Sequence, residues 1–175
     1  MQPAIDPGKE LVALYDERGR PTGRVAPRGL VYRDGLWHAA TGVLLRSGDG
    51  ERLYVHRRTD TKLVHPGAWD CWAGGVVDPG ETPDEAAVRE LAEELGVRAA
   101  PLVPLERFVY DDGRLRYHVF AYEAFWDGPV TWQPEEVAWG GWMTVAELEA
   151  MLADPTCTFA PDGRLGAERW LARQA

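Results

Sequence analysis

Residues 75–97 read GVVDPGETPDEAAVRELAEELGV, and the rest of the architecture can be worked out from them. Thr82 suits the N-cap position of a helix, Pro83 suits the first helical position, and Glu85 completes a Thr-x-x-Glu capping box. Gly96 fits the residue just past a helix end. The sequence therefore predicts a helix that begins at Pro83 and ends one residue before Gly96.

A helical wheel separates this helix into an apolar stripe and an acidic side. The stripe consists of Val88, Leu91, Ala92 and Leu95. The opposite side carries Glu90, Glu93 and Glu94, with Arg89 at the flank. Carboxylates at this spacing repel each other, and a hard divalent cation would relieve the repulsion because it prefers oxygen ligands. Taken alone, the wheel also fits a solvated acidic surface.

The order of residue types along this stretch resembles the signature of the Nudix hydrolases, Gly-x5-Glu-x7-Arg-Glu-U-x-Glu-Glu-x-Gly-U, where U is aliphatic. Its positions are filled by Gly75, Glu81, Arg89, Glu90, Leu91, Glu93, Glu94, Gly96 and Val97. A match at so many fixed spacings is far more specific than a lone glycine motif. We call residues 75–97 the Nudix box and the helix within it the box helix. The resemblance implies an α/β/α sandwich, in which the box helix and C-terminal helices pack on a curved mixed β-sheet.

The remaining sequence favours an α/β protein, because strands precede and follow the box helix. Strands are predicted at residues 10–15, 22–25, 37–45, 52–57, 74–77, 102–110 and 115–125, with a further strand ending at Trp142. Residues 69–73 are expected to lead into the stretch 75–97. Residues 26–36 are predicted to be a connector with some strand. Helices are expected at 144–153 and 163–174. No internal repeat or linker divides the chain, so we expect a single Nudix hydrolase domain over residues 1–175.

The composition of the chain disfavours several classes of protein. The chain has 175 residues, 45% of them hydrophobic, and a net charge of −9. Without a strong basic cluster, this charge disfavours stable binding to nucleic acid. No apolar run is long enough for a bilayer, and the N-terminus lacks the basic and apolar regions of a signal peptide. The two cysteines form no zinc or disulfide pattern. We therefore expect a cytoplasmic protein with no membrane partner.

The resemblance implies metal-dependent hydrolysis of a diphosphate linked to another group, often a nucleoside. Mg²⁺ or Mn²⁺ is the expected cofactor, with more than one ion during catalysis, because cations neutralise phosphate oxygens and lower the pKa of a bound water. The ligands that the family pattern implies are Glu90, Glu93, Glu94 and the backbone carbonyl of Gly75. Arg89 is expected to orient the glutamates, and Glu81 to support it.

The general base and the substrate contacts are less tightly defined by the motif. Glu136 lies in an acidic loop after Pro134 and is the preferred base or extra ligand, against plain solvent exposure. Candidates for binding the substrate are Arg57, Arg58, Lys62 and Trp72. The cations suit phosphate and the indole suits a flat group, although a solvated rim and core packing are the alternatives.

Residues 10–145 also resemble, more weakly, the branch of the family related to isopentenyl-diphosphate isomerase. Those isomerases carry a catalytic cysteine and a metal-binding histidine at the box entrance, where this chain has Gly74 to Val77. Cys71 is out of register, and His38 matches a second isomerase metal position without its partners. We therefore predict a hydrolase, with a non-cleaving nucleotide-binding module or an isoprenoid diphosphate isomerase as alternatives. The sequence does not give the oligomeric state, but the resemblance makes a homodimer possible, because Nudix proteins are often dimers.

Overall fold

Nine strands and four α-helices make up residues 6–175, the part of the chain that the computed structural model describes. The strands are β1 (Leu11–Tyr15), β2 (Pro21–Pro27), β3 (His38–Arg46), β4 (Arg52–Arg58), β5 (Trp69–Asp70), β6 (Trp72–Ala73), β7 (Leu102–Asp111), β8 (Arg116–Phe125) and β9 (Val137–Thr144). The helices are α1 (Arg28–Asp34), α2 (Pro83–Leu95), α3 (Val145–Ala153) and α4 (Pro161–Gln174). No helix among these residues combines the length and hydropathy of a membrane-spanning segment.

Strands β3 and β4 begin as a hairpin and then diverge. The turn is closed by the Gly50 amide, which donates to the Ser47 carbonyl at 2.8 Å, and the strands pair at Arg46 and Leu53. Along its length β3 runs parallel to β8, which in turn pairs antiparallel with β7. Strand β4 pairs antiparallel with β5 and β9. The mixed sheet therefore has two arms, with space between them. One arm consists of β3, β8 and β7, and the other of β4, β5 and β9.

Alternating side chains of β3 build a core on each face of the sheet. Val43 packs under α2 against Leu91. Leu44 points to the opposite face and packs with Leu148 of α3 and Trp170 of α4. Burying a leucine of this kind stabilises the fold by roughly 2 kcal/mol. Helices thus cover both faces of a mixed sheet, which confirms the predicted α/β/α sandwich.

The box helix has the predicted ends. The Thr82 hydroxyl accepts a hydrogen bond from the Glu85 amide at 3.3 Å, and the Glu85 carboxylate accepts one from the Thr82 amide at 2.8 Å. Gly96 adopts a left-handed φ of 66° just past the last turn. A residue with a Cβ would be strained in this conformation, so glycine terminates the helix cleanly.

The predicted faces of the box helix were partly wrong. Val88, assigned to the apolar stripe, is 54% exposed, whereas Glu94, assigned to the acidic side, is only 4% exposed. The sheet covers the side of α2 that includes Ala87 and Leu91, and Glu94 lies on this covered side. The sequence shows which residues share a face but not where the neighbouring sheet will lie.

Two further local predictions were wrong. Within residues 26–36, β2 continues to Pro27, but residues 28–34 form α1 where a connector with some strand was predicted, and Gly35 ends that helix with a left-handed φ of 60°. Residues 74–77 form no strand; Val76 makes an isolated bridge with Ala40. This segment nevertheless lies tightly against β3, since a Cβ on Gly74 would collide with the Thr41 carbonyl.

Candidate active site

Arg89 donates hydrogen bonds to three carboxylates of the box and lies 3.4 Å from a fourth, that of Asp78. Its Nε and Nη2 atoms donate to the two oxygens of Glu81 at 2.8 and 2.9 Å, which makes a bidentate pair. Its Nη1 atom donates to Glu90 at 2.7 Å and to Glu93 at 3.4 Å. Nη2 also donates to the Val76 carbonyl at 3.3 Å. One guanidinium therefore fixes the box helix to the loop that precedes it.

Glu94 extends from the same helix into the protein interior. It accepts a hydrogen bond from the Gly74 amide at 3.3 Å. Burial raises the pKa of Glu94 to about 8, and the nearby Glu90 adds to the rise. Burial also raises the pKa of Glu90, although Arg89 opposes this effect. The joint ionisation of two close, buried carboxyl groups is unfavourable, and a bound cation would favour it.

Gly75 leaves the space that Glu90 occupies. A Cβ at this position would lie 2.6 Å from the Glu90 Oε1 atom. The Gly75 carbonyl accepts a hydrogen bond from the Thr41 amide at 2.8 Å and a longer one from the Thr41 hydroxyl at 3.5 Å, which a stronger partner could replace. Glu81 accepts from the Asp78 amide at 3.0 Å, so the carboxylate that pairs with Arg89 also holds the turn before the helix.

The donor set fits a hard divalent cation by its chemistry. Glu90, Glu93, Glu94 and the Gly75 carbonyl offer only oxygen atoms along one helix and the adjoining loop. Within residues 6–175, no three acidic, histidine or cysteine side chains are grouped closely enough to enclose an ion by themselves. Mg²⁺ usually keeps several water ligands and uses one or two carboxylates, so an open set of this kind suits it.

A cavity of about 490 Å³ lies between the two arms of the sheet. Its wall includes residues of β3 and β8 on one side and of β4, β5 and the loop 61–65 on the other. Gly74 and Gly75 also line it, so the cavity adjoins the residues that contact the box glutamates. This volume is in the range of small-molecule sites.

The two neighbouring arginines of β4 are placed differently. Arg58 lines the cavity and donates from Nη2 to the Val64 carbonyl at 2.9 Å, whereas Arg57 is not part of the cavity wall. Arg57 instead pairs with Asp60 at 3.2 Å. Successive side chains of a strand point to opposite faces, so only one of the pair can face the cavity.

Lys62, Trp72 and Glu136 also line the cavity. Lys62 and Glu136 form an ion pair that joins the loop after β4 to the loop before β9. The Trp72 indole nitrogen donates to the Gly163 carbonyl at 3.1 Å, which fixes the ring in the wall. The structure therefore brings these three predicted residues to one cavity.

Sequence reasoning missed a polar group on the α4 side of the cavity, formed by His65, Asp70, Tyr117 and Asp162. The Tyr117 hydroxyl donates to Asp162 Oδ2 at 2.7 Å. Asp70 is 6% exposed, and burial raises its pKa to about 7, with Asp162 adding to the rise. These residues come from a loop, β5, β8 and α4, so no local spacing in the sequence connects them.

His38 and Cys71 occupy buried structural positions. His38 is 1% exposed, its Nδ1 atom lies 2.9 Å from the Leu36 carbonyl, and burial lowers its pKa to about 4. Cys71 packs with Trp170 in the core on the face opposite α2, where burial raises the pKa of its thiol. His38 also lines the cavity, whereas Cys71 does not.

Known proteins resemble this chain over most of its length. A family model described as NUDIX domain matches residues 36–161. The Nudix hydrolase orf19 of Rhodococcus erythropolis is 53% identical over 169 residues, covering 91% of this chain and 91% of that protein. The Nudix hydrolase SCO1686 of Streptomyces coelicolor is 45% identical over 156 residues, covering 88% and 84%. The crystal structure of DR0079 from Deinococcus radiodurans matches with a TM-score of 0.78 at 29% identity, covering 91% of this chain and 98% of that one.

Proposed function

The chain belongs to the Nudix hydrolase family, and on this basis we propose that it cleaves the diphosphate linkage of a nucleoside diphosphate derivative, or a similar small phosphorylated metabolite, with Mg²⁺ or Mn²⁺. Nudix hydrolases act on phosphoric anhydride bonds, and the family generally uses divalent metal ions. The observation that carries the proposal is the Arg89 network beside buried Glu94, where the box meets the cavity.

The box residues are proposed to hold the ions. Glu90, Glu93, Glu94 and the Gly75 carbonyl would supply the ligands. The bound ions would neutralise the diphosphate oxygens and make a bound water a better nucleophile. Arg89 holds the glutamates in place before the substrate arrives, which reduces the reorganisation needed for catalysis. Glu81 keeps Arg89 in position through its two hydrogen bonds.

Glu136 is proposed to accept the proton of the attacking water. It lines the cavity, its side chain is 33% exposed, and its charge acts on Glu94. The ion pair with Glu136 holds the Lys62 ammonium group at the cavity wall, where it could bind a phosphate group of the substrate. The Arg58 guanidinium would provide a second positive charge for phosphate. Trp72 would provide a flat wall for the organic group. Arg57 has the weakest support, since it lies outside the cavity wall.

We propose that the chain is a hydrolase from the branch of the family related to isopentenyl-diphosphate isomerase, and that it does not catalyse isomerisation. Isomerisation needs groups that protonate and deprotonate carbon, and Gly74 and Val76 provide neither a thiol nor an imidazole. Cys71 is buried in a core. A non-cleaving module would tend to have a degenerate box, whereas this box is complete.

The organisation of the chain is also part of the proposal. We propose one domain over residues 1–175, because β3 contributes side chains to the cores on both faces of the sheet. A reducing cytoplasm would suit the free cysteines Cys71 and Cys157. The homodimer stays a prediction.

A substrate panel tests the proposal. The protein is incubated with nucleoside di- and triphosphates, sugar nucleotides and dinucleotides, with and without Mg²⁺ or Mn²⁺, and the products are separated by chromatography. We expect metal-dependent cleavage of at least one class. Glu93→Gln should abolish turnover and keep the fold, whereas Glu149→Gln, on the exposed side of α3, is the matched control. Absence of cleavage with either metal would overturn the proposal, and tight binding of intact nucleotide would favour the binding module.

A further inference from the structure

Lys62 is an unusual basic residue for this chain. Of the 19 basic residues only two are lysines, Lys9 and Lys62, and the rest are arginines. Lys62 lines the cavity, its side chain is 20% exposed, and it pairs with Glu136. An ammonium is a compact point charge on a flexible stem, whereas a guanidinium binds in a fixed fork. Lys62 is therefore suited to exchange one partner for another.

Backbone hydrogen bonds hold this ion pair beside the box helix. The Gln133 amide donates to the Glu94 carbonyl at 3.0 Å, and the Glu136 amide donates to the Gln133 carbonyl at 3.0 Å. On the other side, the Thr59 amide donates to the Glu136 carbonyl at 3.2 Å. The loop that carries Lys62 is thus fastened to the segment that carries Glu136, and this segment is fastened to the end of α2.

The most buried carboxylate of the box has little to balance its charge. Glu94 is 4% exposed, and in the described part of the chain its side chain accepts a hydrogen bond only from the Gly74 amide. Burial raises the pKa of Glu94 and of Glu90, and the Lys62 ammonium opposes the rise at both. Lys62 therefore acts on two glutamates of the box as well as on its direct partner Glu136.

Arg58 also acts on Glu94, but its guanidinium is held elsewhere. Its Nε and Nη2 atoms donate to the Val64 carbonyl at 3.3 and 2.9 Å. Among residues 6–175, the ammonium of Lys62 has Glu136 as its one side-chain partner. Of these two cations, Lys62 is the one that can leave when another positive charge enters, because like charges repel each other.

We propose that Lys62 is the counter-ion of the cation-free box, where it neutralises the carboxylates around it and competes with a divalent cation for their negative charge. The inference rests on the proposed function, since it takes the box glutamates to be cation ligands. Lys62 lowers the affinity of the box for the cation, because the two positive charges repel. When released from the carboxylates, its ammonium is available to a phosphate group of the substrate, so cation and phosphate binding support each other.

Direct binding of Mn²⁺ without substrate tests this competition. Mn²⁺ alone is titrated into the full chain, and the free ion is measured by electron paramagnetic resonance. Lys62→Met keeps the unbranched stem and removes the charge, so it should bind Mn²⁺ about tenfold more tightly than the unmodified protein, as expected for the loss of one nearby unit charge in a partly solvated site. Loss of a mere brace between two loops would weaken Mn²⁺ binding or leave it unchanged, so the sign of the change separates the two roles.

Matched variants separate charge from packing. Lys62→Arg keeps the charge, and its Kd for Mn²⁺ should stay close to that of the unmodified protein. Lys9→Met removes the same charge at an exposed residue outside the cavity wall and should leave Kd unchanged. In thermal unfolding without metal, Lys62→Met should have the lower Tm, and saturating Mn²⁺ should reduce the difference because tighter binding stabilises the variant more. If Lys62→Met does not fold, Lys62→Gln is the second neutral variant.

The outcomes distinguish the counter-ion from the proposed function. An unchanged or weaker Mn²⁺ affinity of Lys62→Met overturns the counter-ion, and the hydrolase proposal then stands or falls on the substrate panel. Equal tightening in Lys9→Met also overturns it, because net charge alone would explain the effect. Absence of Mn²⁺ binding to both the unmodified protein and Lys62→Met overturns the counter-ion together with the cation site. Tighter binding in Lys62→Met supports it even if no substrate of the panel is cleaved, which would refute the hydrolase proposal alone.

Discussion

Replacing Arg89 by alanine should destabilise the box more than any other single change in it. The side chain makes a bidentate pair with Glu81 and a hydrogen bond of 2.7 Å to Glu90. These two carboxylates are only 15% and 13% exposed. Without the guanidinium, both would stay largely desolvated, Glu81 without its ion-pair partner and Glu90 with only the charge of Lys62 acting on it.

The expected loss of folding stability follows from the burial of these two carboxylates. Removing one partner of a buried ion pair costs about 3–5 kcal/mol, and the guanidinium is still 27% exposed, so the lower end of about 3 kcal/mol applies. For a domain of this size, each kcal/mol lowers Tm by about 2–4 °C. The variant should therefore unfold about 10 °C below the unmodified protein in the absence of divalent metal.

A double-mutant cycle measures the interaction directly. Arg89→Ala, Glu81→Ala and the double variant are unfolded thermally in metal-free buffer, and the coupling energy is expected to exceed about 1 kcal/mol for groups in contact. Arg89→Lys should recover only part of the loss, because an ammonium cannot reproduce the bidentate geometry. A coupling below about 0.5 kcal/mol, or an unchanged Tm for Arg89→Ala, would refute the reasoning.

Three other changes test the site and its surroundings. Gly75→Ala should lower kcat up to about 100-fold at nearly unchanged Tm, because the added Cβ would lie 2.6 Å from Glu90 Oε1 and displace that carboxylate. Steady-state kinetics and thermal unfolding check this prediction, and an unaltered kcat contradicts it. Burial raises the pKa of Asp70 to about 7, so the folded state retains the proton that the unfolded state loses, and stability falls as pH rises from about 4 to 7. Asp70→Asn should then be more stable than the unmodified protein at pH 8 and equally stable below pH 4 in urea unfolding, and a difference that does not change with pH would argue against it. Burial lowers the pKa of His38 to about 4 and that of His56 to about 3, so their contribution to stability is complete above about pH 6.5 and is lost as pH falls toward 4. His56→Gln should flatten this loss by up to about 1.4 kcal/mol per pH unit, and an identical slope in both proteins would count against the assignment.

The ends of the box helix could be predicted because their causes are local. The capping box joins Thr82 to Glu85 within one turn, and Gly96 ends the helix through its own backbone. Of the contacts that Arg89 makes within the helix, the one to Glu93 follows from the i, i+4 spacing, whereas the shorter one to Glu90 does not. These features need no knowledge of the rest of the chain.

The buried side of the helix could not be predicted in the same way. Whether Val88 or Glu94 is covered depends on where the sheet lies, which long-range pairing of β3 with β8 decides. The same limit applies to the α4 side of the cavity. Asp70, Tyr117 and Asp162 are far apart in sequence, and only the folded sheet and α4 bring them together.

Strand β3 also limits which insertions and deletions the protein can tolerate in evolution. Its residues alternate between the α2 core, through Val43, and the opposite core, through Leu44. A single inserted residue within the strand would exchange the two faces from that point onward, with the cavity wall at Thr41 on the same strand. Length changes should therefore be selected against in β3 and tolerated better at the exposed turn residues Gly48 and Asp49. New substrate preferences are then expected to arise from point substitutions and loop variation around a strand of fixed length.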